Sequence, residues 1–172
     1  MATGPAFQVR AGTPADMEWV RKRKVEVYAQ EFGYGPLFGH YVALTIPPFL
    51  QGLDPGLDRT WVAEDAHGVT GFIAIQHDSG RPGWAKLRWF LVERRARGTG
   101  LGRHLFGEAL GFARKAGYEG IHLHTVSDLV EARRMYERAG FRLVQESTEP
   151  CPWAPWAREQ EWELHLPGPG PA

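Results

Sequence analysis

Three glycines at every second position, Gly98, Gly100 and Gly102, sit between an apolar run and an amphipathic one, with Arg95, Arg97 and Arg103 around them. The chemistry this favours is anion binding. The first N–H groups of a helix have no internal partner, and the helix dipole puts roughly half a positive charge at that end. Glycines without a Cβ let the main chain approach phosphate oxygens, and the three arginines add full charges, so a diphosphate fits. The spacing excludes two common phosphate loops. A dinucleotide fingerprint needs GxGxxG, and here the third glycine comes one residue early; GxxxxGK followed by Ser or Thr is absent. The plain alternative is a tight turn that binds nothing, and the arginines weigh against it.

The flanking elements have to hold this loop in place. Leu87 to Val92 alternates like a buried strand and enters the loop. Behind it Leu101, Leu105, Phe106, Ala109, Phe112, Ala113 and Ala116 recur at helical steps, with Gly117 placed as a left-handed C-cap. Upstream, Phe7 to Gly12 reads as a strand. Thr13 as N-cap and Pro14 at the first helical position then predict a helix to about Phe32. GYGP breaks it, and a second, irregular helix follows that Pro47 and Pro48 should stop. Thr60 to Asp65 and Val69 to Gln76 form a hairpin, and Ala85 to Val92 is the central strand. After the long helix come a strand at Gly120 to Val126, a helix opened by an Asp128/Glu131 capping box and closed by Gly140, and strands at Phe141 to Glu146 and Glu159 to Leu166. Between those last two, Ser147 to Arg158 carries Trp153 and Trp156, large enough to pack over a cleft, a partner chain or the domain's own edge. This order predicts an α/β (α+β) domain with a mixed sheet of about seven strands and about four helices. We assign residues 7–166 to one domain, with residues 1–6 and 167–172, rich in Gly, Pro and Ala, as frayed ends.

With 172 residues, 43% hydrophobic and 23% charged, the chain suits one globular domain. Twenty basic residues balance twenty acidic ones, which argues against nucleic-acid or membrane-surface partners. The RKRK run from Arg21 to Lys24 points round most of a helix and reads as a solvated face. A single cysteine, Cys151, forbids an internal disulfide and favours a reducing compartment, although an exposed loop cysteine could cross-link two chains. No signal peptide or membrane span is apparent, so the expected location is the cytoplasm. His122 and His124 share one face of a strand and could hold a metal edge; no third ligand follows at suitable spacing, so no metal is expected.

The RxxGxG pattern from Arg95 to Gly100, extended as RGTGLG through Gly102, resembles the acetyl-CoA pyrophosphate loop of the GCN5-related N-acetyltransferases (GNAT). AxxxYxxxGF from Ala132 to Phe141 is similar to that family's next motif, in the same order. The resemblance runs from Phe7 to Leu166 and looks closest to acetyltransferase modules fused to MarR-type regulators, through LRWFLV before the loop and EQEWEL near the end. It implies a GNAT-like sheet splayed between its fourth and fifth strands, with acetyl-CoA in the gap and no metal. The pantetheine arm would lie beside Leu91 and Val92, with a Val92 N–H positioned for the thioester oxyanion. The diphosphate would rest on Arg97, Gly98, Thr99, Gly100, Leu101 and Gly102, helped by Arg95 and Arg103. Tyr136 matches the family's general acid. Leu129 stands where many relatives carry Asn, so Ser127 is the substitute cofactor contact, and Arg94 stands where proline is frequent. The two helices after the first strand would line the acceptor side, making Glu31, Tyr34, His40 and Tyr41 candidates for substrate contact.

The implied reaction is N-acetyl transfer from acetyl-CoA to a primary amine by direct attack in a ternary complex. An amine of pKa about 10 is roughly a thousandfold more protonated than free at pH 7, so a base is needed. Glu31, Glu64 and Glu93 are the candidate carboxylates. The second hypothesis is a non-catalytic acyl-CoA-binding sensor or regulatory module of the same fold. Expected partners are a small amine or peptide acceptor and a second copy of the chain.

Overall fold

In the computed structural model, residues 6–168 are described; the ends expected to fray lie mostly outside them, at 1–5 and 169–172. The strands are β1 (Gln8–Ala11), β2 (Arg59–Asp65), β3 (Gly68–His77), β4 (Trp84–Val92), β5 (Gly120–Val126), β6 (Arg142–Glu146) and β7 (Glu159–His165). The helices are α1 (Asp16–Phe32), α2 (Pro36–Gln51), α3 (Leu101–Lys115) and α4 (Val130–Arg138). The strands form one sheet in the order β1-β2-β3-β4-β5-β7-β6, antiparallel at every pair except β4 with β5. Alternation along β2 and β3 builds a core on each face. Trp61, Ala63, Ile73 and Ile75 pack with Leu101, Leu105 and Ala109 of α3, and Tyr136 of α4 belongs to the same core. Val62, Phe72 and Ala74 pack with Met17 and Val20 of α1 and Phe38, Val42, Ile46 and Phe49 of α2.

Three local expectations are corrected. Thr13 does not cap α1. The Asp16 carboxylate instead accepts the Thr13 N–H (2.7 Å) and hydroxyl (2.9 Å), and the helix begins at Asp16. The prolines do not stop α2, which continues to Gln51. Ala43 and Leu44, whose carbonyls lose their i+4 donors to Pro47 and Pro48, lie on the exposed face, where water can satisfy them; the buried stripe Phe38, Val42, Ile46 and Phe49 holds the helix on the sheet. Asp128 does not form a capping box. Its carboxylate accepts the Tyr34 hydroxyl (2.7 Å) and the Trp156 indole N–H (3.0 Å), and α4 starts without a side-chain cap. The expected C-terminal glycines stand: Gly117 and Gly140 are left-handed, and Tyr118 and Phe141 N–H groups reach back to Ala113 and Tyr136 carbonyls.

The feature that shapes the sheet is a bulge in β4. Between paired positions β3 advances from Phe72 to Ala74 while β4 runs from Leu91 back to Arg88, so β4 carries one extra residue; Trp89 there has φ 59°, rare for a non-glycine. The extra residue reverses the alternation. Ala85 and Leu87 face α3, as do Phe90 and Val92, whereas Trp89 joins the α1/α2 core. Beyond it β4 no longer meets β5: their parallel pairing covers only Trp84↔Gly120 to Lys86↔His122.

Arg10 on β1 ties the first helix to the sheet edge through two bonds to Asp16 (2.8 and 2.9 Å) and others to Glu64. These contacts hold the Asp16 carboxyl down at about 2. A depressed carboxyl stabilises the fold above its ordinary pKa and loses that contribution as pH falls towards 2. Asp16→Asn should therefore cost about 1–2 kcal/mol at pH 7, reduced from the full linkage value because Arg10 is part-exposed, and the gap to wild type should close between pH 4 and 2 in denaturant titrations.

Candidate functional site

Where β4 and β5 diverge, a cleft of ≈ 280 Å³ opens. Arg88, Trp89 and Phe90 form one wall, Leu123 to Val126 the other, and Tyr28, Tyr34, Phe38, Tyr41 and Trp153 close the α1/α2 side. The Trp/Pro loop thus packs over the cleft of its own chain. Trp153 lies against Tyr41 (5.0 Å between centroids) and Phe38 (5.6 Å), and its carbonyl accepts the Gly35 N–H (3.1 Å). Cys151 is 1% exposed, so the expectation of an exposed loop thiol is corrected: it lies in the core beneath the loop.

The glycine loop lies beside the far end of β4, with a Cβ at Gly102 falling 3.7 Å from both Phe90 and Val92 side chains. Gly98 (φ 78°) and Gly100 (φ 88°) turn the chain from a 3-10 turn at Arg94–Ala96 into α3. The first helical N–H to close is that of His104 on the Gly100 carbonyl. Main-chain N–H groups of Gly98, Thr99, Gly100, Gly102 and Arg103 find no main-chain acceptor among the described residues. Thr99 braces the turn by donating to the Ala96 carbonyl (2.6 Å). Of the arginines, Arg95 is held by Asp65 and the Val69 carbonyl, and Arg97 by Glu31 (2.7 Å) and the Val92 carbonyl (3.2 Å). Arg103 is exposed on the first turn of α3.

Tyr136, 6% exposed, lines the cleft from α4, its hydroxyl making no hydrogen bond among the described residues; burial pushes its pKa up. The three candidate carboxylates are elsewhere. Glu93 is buried and doubly bonded to Arg23 (2.6 and 3.0 Å), Glu64 is paired with Arg10, and Glu31 with Arg97; none lines the cleft. Arg23, from the RKRK run, is therefore a clamp between α1 and the end of β4 rather than part of a solvated face. Sequence reasoning considered His124 only as a metal edge, yet its ring lines the cleft, and desolvation holds its pKa below the usual imidazole value. The signal was the β5 parity that puts His124 and Val126 on one face.

Among the acceptor candidates, Tyr34 and Tyr41 line the cleft, with Tyr34 anchored on Asp128; His40 is exposed and outside it, and Glu31 stands at the loop. Ser127 Oγ accepts the Arg158 N–H (2.9 Å), joining β5 to the Trp/Pro loop. The third ligand missing from the histidine pair comes from another strand. β7 places Glu161 opposite His124, and His122, His124 and Glu161 offer ligand atoms within 4.8 Å of one another. Asp78, 2.9 Å from His122 Nε2 and 3.4 Å from the Lys86 ammonium, extends this into a charge cluster.

The sequence pattern of the acetyltransferase (GNAT) family matches residues 22–141. An uncharacterized N-acetyltransferase of Schizosaccharomyces pombe is 32% identical over 125 residues, 72% of this chain and 76% of that protein. An acetyltransferase of the GNAT family from Staphylococcus aureus has the same fold, with a TM-score of 0.73 at 15% identity, covering 94% of this chain and 100% of that one. A streptothricin acetyltransferase from Bacillus anthracis, described as putative and solved with acetyl coenzyme A, aligns over 69% of this chain and 68% of its own, with a TM-score of 0.57 at 20% identity.

The two kinds of carboxylate pair should separate in stability measurements. Glu93→Gln, which breaks a buried pair, should cost about 2–3 kcal/mol in denaturant titration, whereas Glu64→Gln at an exposed pair should cost less than about 1 kcal/mol.

Proposed function

The chain belongs to the acetyltransferase (GNAT) family, and from that premise we propose that it transfers an acetyl group from acetyl-CoA to a primary amine by direct attack in a ternary complex. The reading rests above all on Tyr136, a buried tyrosine that lines the cleft and whose hydroxyl makes no hydrogen bond among the described residues, at the fork from which β4 leads to a loop whose N–H groups lack main-chain partners. The diphosphate would take those N–H groups, with Arg103 and the clamped Arg97 adding charge. The pantetheine amides would pair with the edge of β4 that β5 leaves free, at Leu91 and Val92.

In this scheme the amine nitrogen attacks the thioester carbon, the new C–N bond forms as the C–S bond breaks, and a Val92 N–H steadies the carbonyl oxygen as it gains charge. The thiolate leaves with a proton from Tyr136. Burial keeps that phenol un-ionised, so its O–H is available to the sulfur as a hydrogen bond or a proton. Glu31, Glu64 and Glu93 are each committed to an arginine, so we assign the base to His124. Its ring lines the cleft, and Glu161, 3.8 Å away, answers the imidazolium that forms. The scheme uses no metal. We further propose that residues 7–166 act as one domain in the cytoplasm; no helix among the described residues is long and apolar enough to cross a membrane. A homodimer is supported by β6, a sheet-edge strand whose residues are all exposed, Leu143 and Val144 included.

Thiol release from acetyl-CoA with a panel of primary amines tests this. Tyr136→Phe should lower kcat by about 10²-fold with acetyl-CoA affinity changed less than about twofold. The acid limb of the kcat profile should lie below pH 6.5 and be lost in His124→Asn. Unchanged turnover in Tyr136→Phe would remove the tyrosine from the mechanism, and binding without thiol release from any amine would favour the non-catalytic module.

A further inference from the structure

Arg88 is the one arginine placed inside the cleft, and nothing in the acetyl-transfer scheme uses it. Arg23, Arg81, Arg95 and Arg97 each pair with a carboxylate. Arg88 pairs with none among the described residues. Its single hydrogen bond runs from Nη1 to the neutral Gln76 Oε1 (3.1 Å), leaving most of the five N–H donors of a guanidinium unused. Its plane is fixed without consuming those donors, by the Trp89 ring at 4.7 Å and the Phe49 ring at 5.9 Å. Desolvation is strong enough there to lower its pKa. A cation held this way, partly out of water and lacking a counter-charge, is costly unless something anionic arrives to meet it.

The donor does not supply that charge. The arm of acetyl-CoA between thioester and diphosphate is uncharged, and the loop that suits the diphosphate lies beyond the other end of β4, about 10–13 Å of strand from Arg88. Arg88 also faces the other way. The bulge at Trp89 puts both residues on the α1/α2 side, against Phe49 of α2, which is the acceptor side of the fork. Lys24 stands over the Tyr28 ring (4.8 Å) and Lys86 reaches Asp78; the only acidic lining residue, Glu159, is exposed at the rim.

Resting on the acetyltransferase reading above, we infer that the acceptor carries a carboxylate beside its amine, an amino-acid-type substrate whose carboxylate is gripped by the Arg88 guanidinium. Bidentate pairing would fix the carboxylate end in the planar fork that arginine offers and lysine does not. The amine is then directed back along the cleft towards His124 and Tyr136. Tyr28, Phe38, Tyr41 and Trp153 form an aromatic wall for the side chain.

The test sets a panel of L-amino acids against their C-terminal amides and decarboxylated amines, in thiol-release kinetics and in tryptophan-fluorescence titration of the CoA-bound protein. The free acids should exceed their amides by about 10²-fold in kcat/KM, and bind tighter by a similar factor. Arg88→Gln should erase that preference by lowering the acids alone, with acetyl-CoA affinity and thermal midpoint little changed; Arg88→Lys should restore only part of it. Equal use or binding of acids and amides by the wild type, or an Arg88→Gln loss that is the same for both, would overturn the inference. Binding and catalysis fail separately. Carboxylate-dependent binding without thiol release would leave Arg88 as the anion site and sink only the transferase reading.

Discussion

The structure depends on one backbone distortion, the extra residue that β4 inserts at Trp89. A regular β4 would stay hydrogen-bonded to β5 along its length, and the sheet would be closed. The bulge ends that pairing after Lys86, so the main-chain groups of Phe90 to Val92 on the β5 side are left without a strand. It also reverses which side chains face which layer, placing Arg88 and Trp89 together under α1 and α2. Holding a non-glycine at φ 59° costs on the order of 1–2 kcal/mol. Burial of the Trp89 indole, 5% exposed and edge-on to Phe49, offsets that strain.

Around this fork the charged residues fall into two groups. Arginine–carboxylate pairs act as ties: Arg10 joins β1 to α1, Arg23 joins α1 to the end of β4, and Arg97 joins the loop to α1 through Glu31. The Arg23 and Arg97 pairs link elements far apart in sequence, and all three engage a carboxylate. Tyr136, His124 with Glu161 3.8 Å away, and Arg88, bonded to the neutral Gln76, all line the cleft. An aromatic layer from α1, α2 and the Trp/Pro loop covers them, anchored where Asp128 takes both Tyr34 and Trp156.

Much of this was legible in the chain. Elements and glycine turns, those at Gly98 and Gly100 included, follow from periodicity and from residues that only one backbone conformation suits. What was not legible depends on contacts between distant residues. Thr13 and Asp128 look like helix caps in sequence, but the Thr13 hydroxyl is spent on Asp16, and Tyr34 and Trp156 take Asp128. Pro47 and Pro48 look like a stop, yet the apolar stripe of α2 outweighs two lost hydrogen bonds that face water. Glu31, Glu64 and Glu93 look like equal candidates for a base until their arginine partners are known. Glu161 is invisible as a neighbour of His124 because β7 reaches β5 only through the sheet order. The bulge itself has no sequence signature, since LRWFLV reads as simple alternation.

The proposed transfer requires that the free edge of β4 and the glycine loop together hold acetyl-CoA. Amide hydrogen exchange, with and without saturating acetyl-CoA, reads both at residue level. The predicted result is new protection confined to amides of residues 90–92 and 97–103, with the α1/α2 amides little changed until an acceptor is added. Protection elsewhere, or none at a concentration where binding is independently seen, would contradict the placement of the cofactor in the fork.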